Sequence, residues 1–255
     1  VTDIRRADVF EVLDAMVDRG IGTSANRCLA TARRLFNWCV ERGYLERSPA
    51  AGIRPLVRER PRERVLSMNE LSAVWRAAAS LGFPTGTWVQ MMIATGGQRV
   101  RDVVTMRRAS LEHDTWRIEA PTKSEKPHVV PLSTLAQGLL ERCPVLAGPY
   151  VFSTTDGHKH IQSLSKIKRR LDDRSGVKNW RYHDIRRTVA TCFGDDLALA
   201  PHVAEAVQNR RSGVVSGVVA VYNRAHFESL KREALQLWAD RLATAVSHRL
   251  PGLFG

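Results

Sequence analysis

Residues 94–107 read ATGGQRVRDVVTMR, a helical pattern interrupted by the adjacent glycines Gly96 and Gly97. A glycine pair ends one helix and lets a tight turn open the next. The break sets Arg99 on the first turn of a new helix, with Asp102 one turn on and on the same face. Upstream the helical pattern reaches back to Thr87, and before it Ser67 caps a helix running to about Ser80, with Glu70 at capping-box spacing. Downstream, Thr115–Ala120 and His128–Leu132 are short alternating or β-branched runs around the polar turn PTKSEKP, which predicts a hairpin. Helical patterns return over Ser165–Asp173, His183–Phe193, His202–Val207 and, longest, residues 226–248. The fold class is therefore mainly α with a small antiparallel β-sheet (α+β).

Ahead of this block stand two further helical patterns. Arg6–Arg19 places Val9, Val12, Leu13, Met16 and Val17 on one face and stops at Gly20. A second helix, capped by Thr23 or Ser24, carries Leu29, Ala32, Leu35, Phe36, Cys39 and Val40 and stops at Gly43. Arg27, Arg33 and Arg34 lie off its apolar stripe, where they can meet phosphate or simply solvent. Two helices are too few to bury both stripes well, so residues 1–53 read as part of a larger helical domain. Residues 54–66, RPLVRERPRERVL, hold five arginines and two prolines without periodicity, and read as an extended basic linker. The second domain is then 67–255.

The 255 residues are 44% hydrophobic, enough for a real core, and carry 39 Lys and Arg against 26 Asp and Glu, a formal charge of +13. That excess steers a polyanion inward, and nucleic acid is the first partner it suggests. No apolar run approaches the roughly 20 residues of a spanning helix, and VTDIRRADVF does not read as a signal peptide, so a membrane is not an expected partner. Cys28, Cys39, Cys143 and Cys192 are scattered without metal-ligand spacing, and neither a P-loop nor G-x-G-x-x-G follows a strand. Chemistry by side chains alone, with no metal and no cofactor, is the expectation, as is a cytoplasmic location.

Four segments in order resemble the tyrosine recombinases, or phage integrases: residues 94–107, TKSEKPHVVPLS (122–133), HDIRRTVAT (183–191) and VSGVVAVYNR (215–224). The resemblance implies Arg99 and Arg186 as the catalytic arginines, Asp102 as a buttress, Lys123 as the hairpin lysine, His183 as the imidazole and Tyr222 as nucleophile. It also implies a catalytic domain preceded by a partial helical core-binding domain, with more helices ahead of residue 1. Double-stranded DNA would be clamped between the domains, and Arg58, Arg60, Arg62 and Arg64 of the linker would track its backbone. A homotetramer on DNA is implied, joined through the C-terminal helix, whose stripe is Phe227, Leu230, Ala234, Leu237, Trp238, Leu242 and Ala245. Directionality or bending factors and association with the nucleoid belong to the same expectation.

The residue types fit such chemistry. Charge in a phosphodiester-exchange transition state spreads over the non-bridging oxygens, which two guanidinium forks can hold. A cationic pocket stabilises phenolate, an imidazole can take its proton, and a lysine can protonate the departing deoxyribose oxygen. Lys126 is the alternative to Lys123, and Tyr182 to Tyr222. His128, His158, His160 and His202 are read as surface or DNA-proximal residues without a role. One position departs from the family pattern: where related integrases carry L-N-H-x-S-G, residues 208–213 read QNRRSG, so Arg210 stands in place of histidine. Two rivals remain, a catalytically impaired DNA-binding relative and a type IB topoisomerase-like enzyme.

Overall fold

The computed structural model describes residues 1–119, 127–210 and 224–247. The chain divides into two compact units, Val1–Glu63 and Arg64–Gly255.

In the first unit α1 (Arg6–Asp18) packs on α2 (Gly22–Glu41). Val9, Leu13, Ala25, Leu29 and Phe36 form the buried seam, and Ala50 and Ile53 close it from beyond the helices. Residues read as free linker are in part drawn into this unit. Asn26 Nδ2 donates to Val57 O at 2.8 Å and its Oδ1 accepts from Leu56 N at 2.9 Å, while Leu56 packs on the seam. A single half-buried amide thus ties the start of the basic segment to α2. Two details of α2 differ from expectation. It begins at Gly22 without a side-chain cap, ahead of Thr23 and Ser24, and Leu35 points outward, 52% exposed.

The second unit begins at Arg64, three residues before the expected boundary, because Arg64 pairs with Glu70 and Leu66 is buried with its N–H on Thr188 Oγ1 at 2.8 Å. Helix α3 (Met68–Leu81) starts as its sequence dictates: Ser67 Oγ accepts from Glu70 N and Glu70 Oε2 accepts from Ser67 N. Helix α4 (Thr85–Ala94) is apolar on all sides, TGTWVQMMIA, so it has no face to give to water and becomes the centre of the unit. Around it pack α3, α5 (Val100–Val104), α6 (Thr134–Glu141), α8 (Tyr182–Asp195) and α10 (Arg224–Ser247). A Cβ on Gly86 would fall 1.9 Å from Ala78 O, which is how closely α4 sits against α3.

The sheet is β1 (Leu111–Glu112), β2 (Thr115–Ile118) and β3 (His128–Pro131), antiparallel in that order, with Trp116 opposite Val130 and Ile118 opposite His128. The expected hairpin is the β2–β3 pair, and β1 extends it. Helices α7 (Leu164–Ser175) and α9 (Pro201–Gln208) complete the unit. Helix α6 follows Ser133, which caps Ala136 N.

Most of the stripe expected to meet a neighbouring protomer through α10 is used inside this unit. Ala234, Trp238 and Leu242 are fully buried, Trp238 Nε1 donates to Ile93 O at 2.9 Å, and Leu237 alone of the large stripe residues is markedly exposed. The physical reason is the all-apolar α4, whose far side needs this cover. Trp238→Ala should therefore lower stability by about 3–5 kcal/mol, read as a fall in urea midpoint at constant m-value. A loss below about 1 kcal/mol would mean that α10 is not part of the core.

Candidate active site

The glycine pair begins the site. Gly96 (φ +78°) and Gly97 (φ +72°) occupy left-handed backbone, and both are pressed by neighbours. A Cβ on Gly97 would lie 2.7 Å from Arg186 Cα, and one on Gly96 2.8 Å from Val207 Cγ1. The turn after α4 therefore meets the backbone of α8 at Gly97 and the Val207 side chain of α9 at Gly96, in left-handed conformations that glycine adopts without strain.

Arg186 fills this junction. It is 5% exposed; its Nη1 donates to Gly97 O at 3.1 Å and its Nη2 to Gln208 O. Burial, then the charges of Arg210 and Arg99, pull its pKa down to about 9 against the opposing effect of Asp102. It is still a cation at neutral pH. Arg99, the N-cap residue of α5, is more open; its Nη2 donates to Asn209 O at 3.2 Å and its Nη1 lies 3.8 Å from Asp102 Oδ2. Burial raises the Asp102 pKa, opposed by Arg99, Arg186 and Arg101.

His183 lies on the first turn of α8, three residues before Arg186 and nearer solvent. Partial burial, then the charges of Arg187, Arg186 and Arg210, lower its pKa, so the ring is held neutral and ready to accept a proton. Arg210 joins the group: its Nη2 donates to Arg186 O at 3.4 Å and its N to Glu205 O at 2.9 Å. Burial, then Arg187, lower its pKa. Arg99, Asp102, His183, Arg186 and Arg210, named from three separate stretches of sequence, are thus brought together. Lys123, Lys126 and Tyr222 lie outside the described residues.

The remaining tyrosines differ in their surroundings, from partly buried Tyr182 to Tyr44, which is 60% exposed. Tyr182 OH donates to Leu164 O at 3.1 Å, its ring packs edge-on against Trp88 and Trp180, and burial drives its pKa up. Tyr150 lies beneath the Arg107 guanidinium, and Tyr44 stacks on Trp38 in the first unit. Of the arginines expected on DNA, Arg27, Arg34, Arg58 and Arg60 are exposed and Arg33 and Arg62 half-buried, whereas Arg64 is engaged with Glu70.

Four residues at this site were not anticipated from sequence. Gln98 Nε2 donates to Val207 O at 2.7 Å and to Thr95 O at 3.0 Å. Gln208 Nε2 bridges Gly96 O at 2.8 Å and Arg186 O at 2.9 Å. Lys231 of α10, 9% exposed, donates to Val129 O of β3, and burial lowers its pKa. His128, expected at the surface, is 8% exposed, with Nε2 3.0 Å from Val207 O. It holds an inward position of β3 beside Val130, and that strand alternation was the available signal. Because a carbonyl only accepts, Nε2 carries the proton. Burial, then the Lys231 charge, push its pKa down to about 4.

The phage integrase family model matches residues 64–196, over half of the chain. Tyrosine recombinase XerC of Xylella fastidiosa strain M23 is 26% identical over 210 residues, covering 75% of this chain and 68% of that protein. Prophage integrase IntZ of Escherichia coli K12 is 25% identical over 256 residues, covering 97% of this chain and 62% of that protein. In fold the chain is similar to a lambda integrase dimer bound to a COC′ core site, with TM-score 0.66 at 19% identity over 86% of this chain and 83% of that one. XerH bound to its difH substrate is similar with TM-score 0.57 at 13% identity, over 96% of this chain and 70% of that one. This chain belongs to the phage integrase family.

The lowered pKa of His128 makes stability pH-dependent. Between about 4 and the ordinary 6.5 the unfolded chain binds a proton that the folded chain refuses. The stabilisation is whole above pH 6.5 and declines as pH falls toward 4, by at most about 3 kcal/mol for that interval. Urea midpoints measured across this range should fall less steeply for His128→Gln than for the unaltered chain; parallel profiles would place the imidazole in water.

Proposed function

We propose that this chain is a site-specific DNA recombinase that cleaves and rejoins strands through a 3′-phosphotyrosine on Tyr222, integrating or excising a mobile element. Its membership of the phage integrase family makes it a tyrosine-type recombinase, and the mechanism is our reading of the site. The observation that carries it is the convergence of Arg99, Arg186, Arg210 and the neutral His183 on one junction.

In this reading Arg186 and Arg99 hold the non-bridging oxygens of the scissile phosphate. His183 takes the phenolic proton as the Tyr222 oxygen bonds to phosphorus, and the 5′ oxygen leaves with a proton from Lys123. Rejoining reverses these steps with another strand's 5′ hydroxyl, and the bond energy stored in the phosphotyrosine removes any need for ATP. The partial burial of Tyr182 and the hydrogen bond of its hydroxyl to Leu164 O support the assignment to Tyr222 over this alternative. Residues 1–53 act as part of a core-binding domain, 54–66 as the basic linker and 67–255 as the catalytic domain. DNA is the partner, engaged also through Arg27, Arg33, Arg34, Arg58, Arg60 and Arg62. The relatives of known structure include a lambda integrase tetramer bound to a Holliday junction, and we extend tetramer assembly to this chain. With most of the α10 stripe inside its own unit, the protomer contact on that helix falls to outward positions such as Leu237.

The test uses a duplex selected for binding from a randomised pool, then nicked so that cleavage traps the protein. A denaturation-resistant adduct should form, and Tyr222→Phe should abolish it while leaving DNA affinity within about twofold, because one hydroxyl adds little to many phosphate contacts. An adduct that survives the substitution moves the nucleophile elsewhere.

Arg210 favours one variation on this reading. A guanidinium there adds charge beside Arg186 and cannot exchange a proton, unlike the usual histidine. The enzyme is then slow but competent, and Arg210→His should raise single-turnover cleavage, by up to about a hundredfold, at constant affinity. Absence of cleavage in both forms would favour a DNA-binding relative without catalysis, and efficient relaxation of supercoiled plasmid lacking any selected site a topoisomerase.

A further inference from the structure

Three successive backbone carbonyls at the end of α9 are all taken by side chains. Val207 O receives Gln98 and His128, Gln208 O receives Arg186, and Asn209 O receives Arg99. Carbonyls at a helix C-terminus lack partners within the helix and carry partial negative charge, so they attract cations. Here that attraction has two faces. It holds the guanidiniums in place, yet each N–H bound to a carbonyl is one fewer for a phosphate.

The unassigned residues bear on this balance. Gln98 and His128 occupy Val207 O, and Gln208 Nε2 occupies Gly96 O and shares Arg186 O with Arg210. All three are 8% exposed or less. Gly96 O and Val207 O belong to the residues next to the two whose carbonyls Arg186 holds, Gly97 and Gln208, so a free acceptor at either would compete for its fork. A cationic donor could fill them only by adding charge to a pocket where Arg186, Arg99 and Arg210 already repel one another. An amide and a neutral imidazole fill them without charge. Gln208 stands where the family stretch has leucine, which has no donor for Gly96 O or Arg186 O. Its Oε1 is buried with no hydrogen-bond partner among the described residues, a cost set against the two bonds made by Nε2.

We propose that Gln208, Gln98 and His128 are positioning residues, a neutral collar that occupies the carbonyls around α9 so that Arg186 and Arg99 turn their remaining N–H groups to the scissile phosphate. The proposal rests on the arginine-clamp reading above. It differs from a packing role in what it predicts for the charge of the substrate. A methylphosphonate at the scissile position replaces one non-bridging oxygen by methyl, so the departing transition state needs far less from the arginines.

Single-turnover cleavage is measured on the selected nicked duplex carrying either a phosphodiester or a methylphosphonate at the scissile position. Gln208→Leu and His128→Leu should each slow the diester by roughly tenfold or more while the methylphosphonate rate stays within about twofold. His128→Gln keeps a neutral donor and should stay near the unaltered rate on both. Arg186→Ala serves as the control on the clamp itself and should show the largest diester-specific loss. Equal losses on the two substrates in the leucine variants would mean general damage to the fold and overturn the collar. Unchanged diester cleavage in both would overturn it as well. If Arg186→Ala shows no preference for the neutral substrate, the clamp reading falls and the collar with it.

Discussion

The site depends on one buried guanidinium. Arg186 sits among backbone carbonyls from two distant stretches, Gly97 after α4 and Gln208 at the end of α9. A charge removed from water is tolerated only when its donors are met, and here the hydrogen bonds that meet them are the ones that bind α4, α8 and α9 together. Fold and site are consequently inseparable at this point. The glycines that let the backbones approach, the all-apolar α4 that brings them to the centre and the α10 helix that covers α4 all serve the same junction.

Much of the frame is legible in the sequence because local signals agree with tertiary demands. The capping box at Ser67 and Glu70, the glycine break before Arg99 and the alternating strands of the hairpin each follow from short-range chemistry. The start of α2 shows where local reading stops: Thr23 and Ser24 are good capping residues, but the helix begins ahead of both, at Gly22, where Val57 comes too close for a side chain. Helix α6 left no expectation because eight residues with Gly138 in the middle give too little periodicity. The basic linker looked free since arginine and proline carry no pattern, whereas Asn26, far away in sequence, anchors its start.

The candidate site was legible to a different depth. Arg99, Asp102, His183, Arg186 and Arg210 could be named because the segments that carry them resemble those of the tyrosine recombinases. Gln98, Gln208, His128 and Lys231 could not, since amides and a lone histidine are usually surface residues and their partners are backbone carbonyls. A carbonyl has no signature in sequence, so what holds a reactive group is harder to read than the group itself. The α10 stripe illustrates the same limit, for an apolar face announces that something covers it without saying what.

Thr188 gives the linker a mechanical meaning. Its hydroxyl accepts from Leu66 N and donates to Asp184 O, so the last residue of the arginine-rich segment is stitched to the helical turn that carries Arg186. A displacement of Leu66 is therefore felt in the first turns of α8, where His183 also stands.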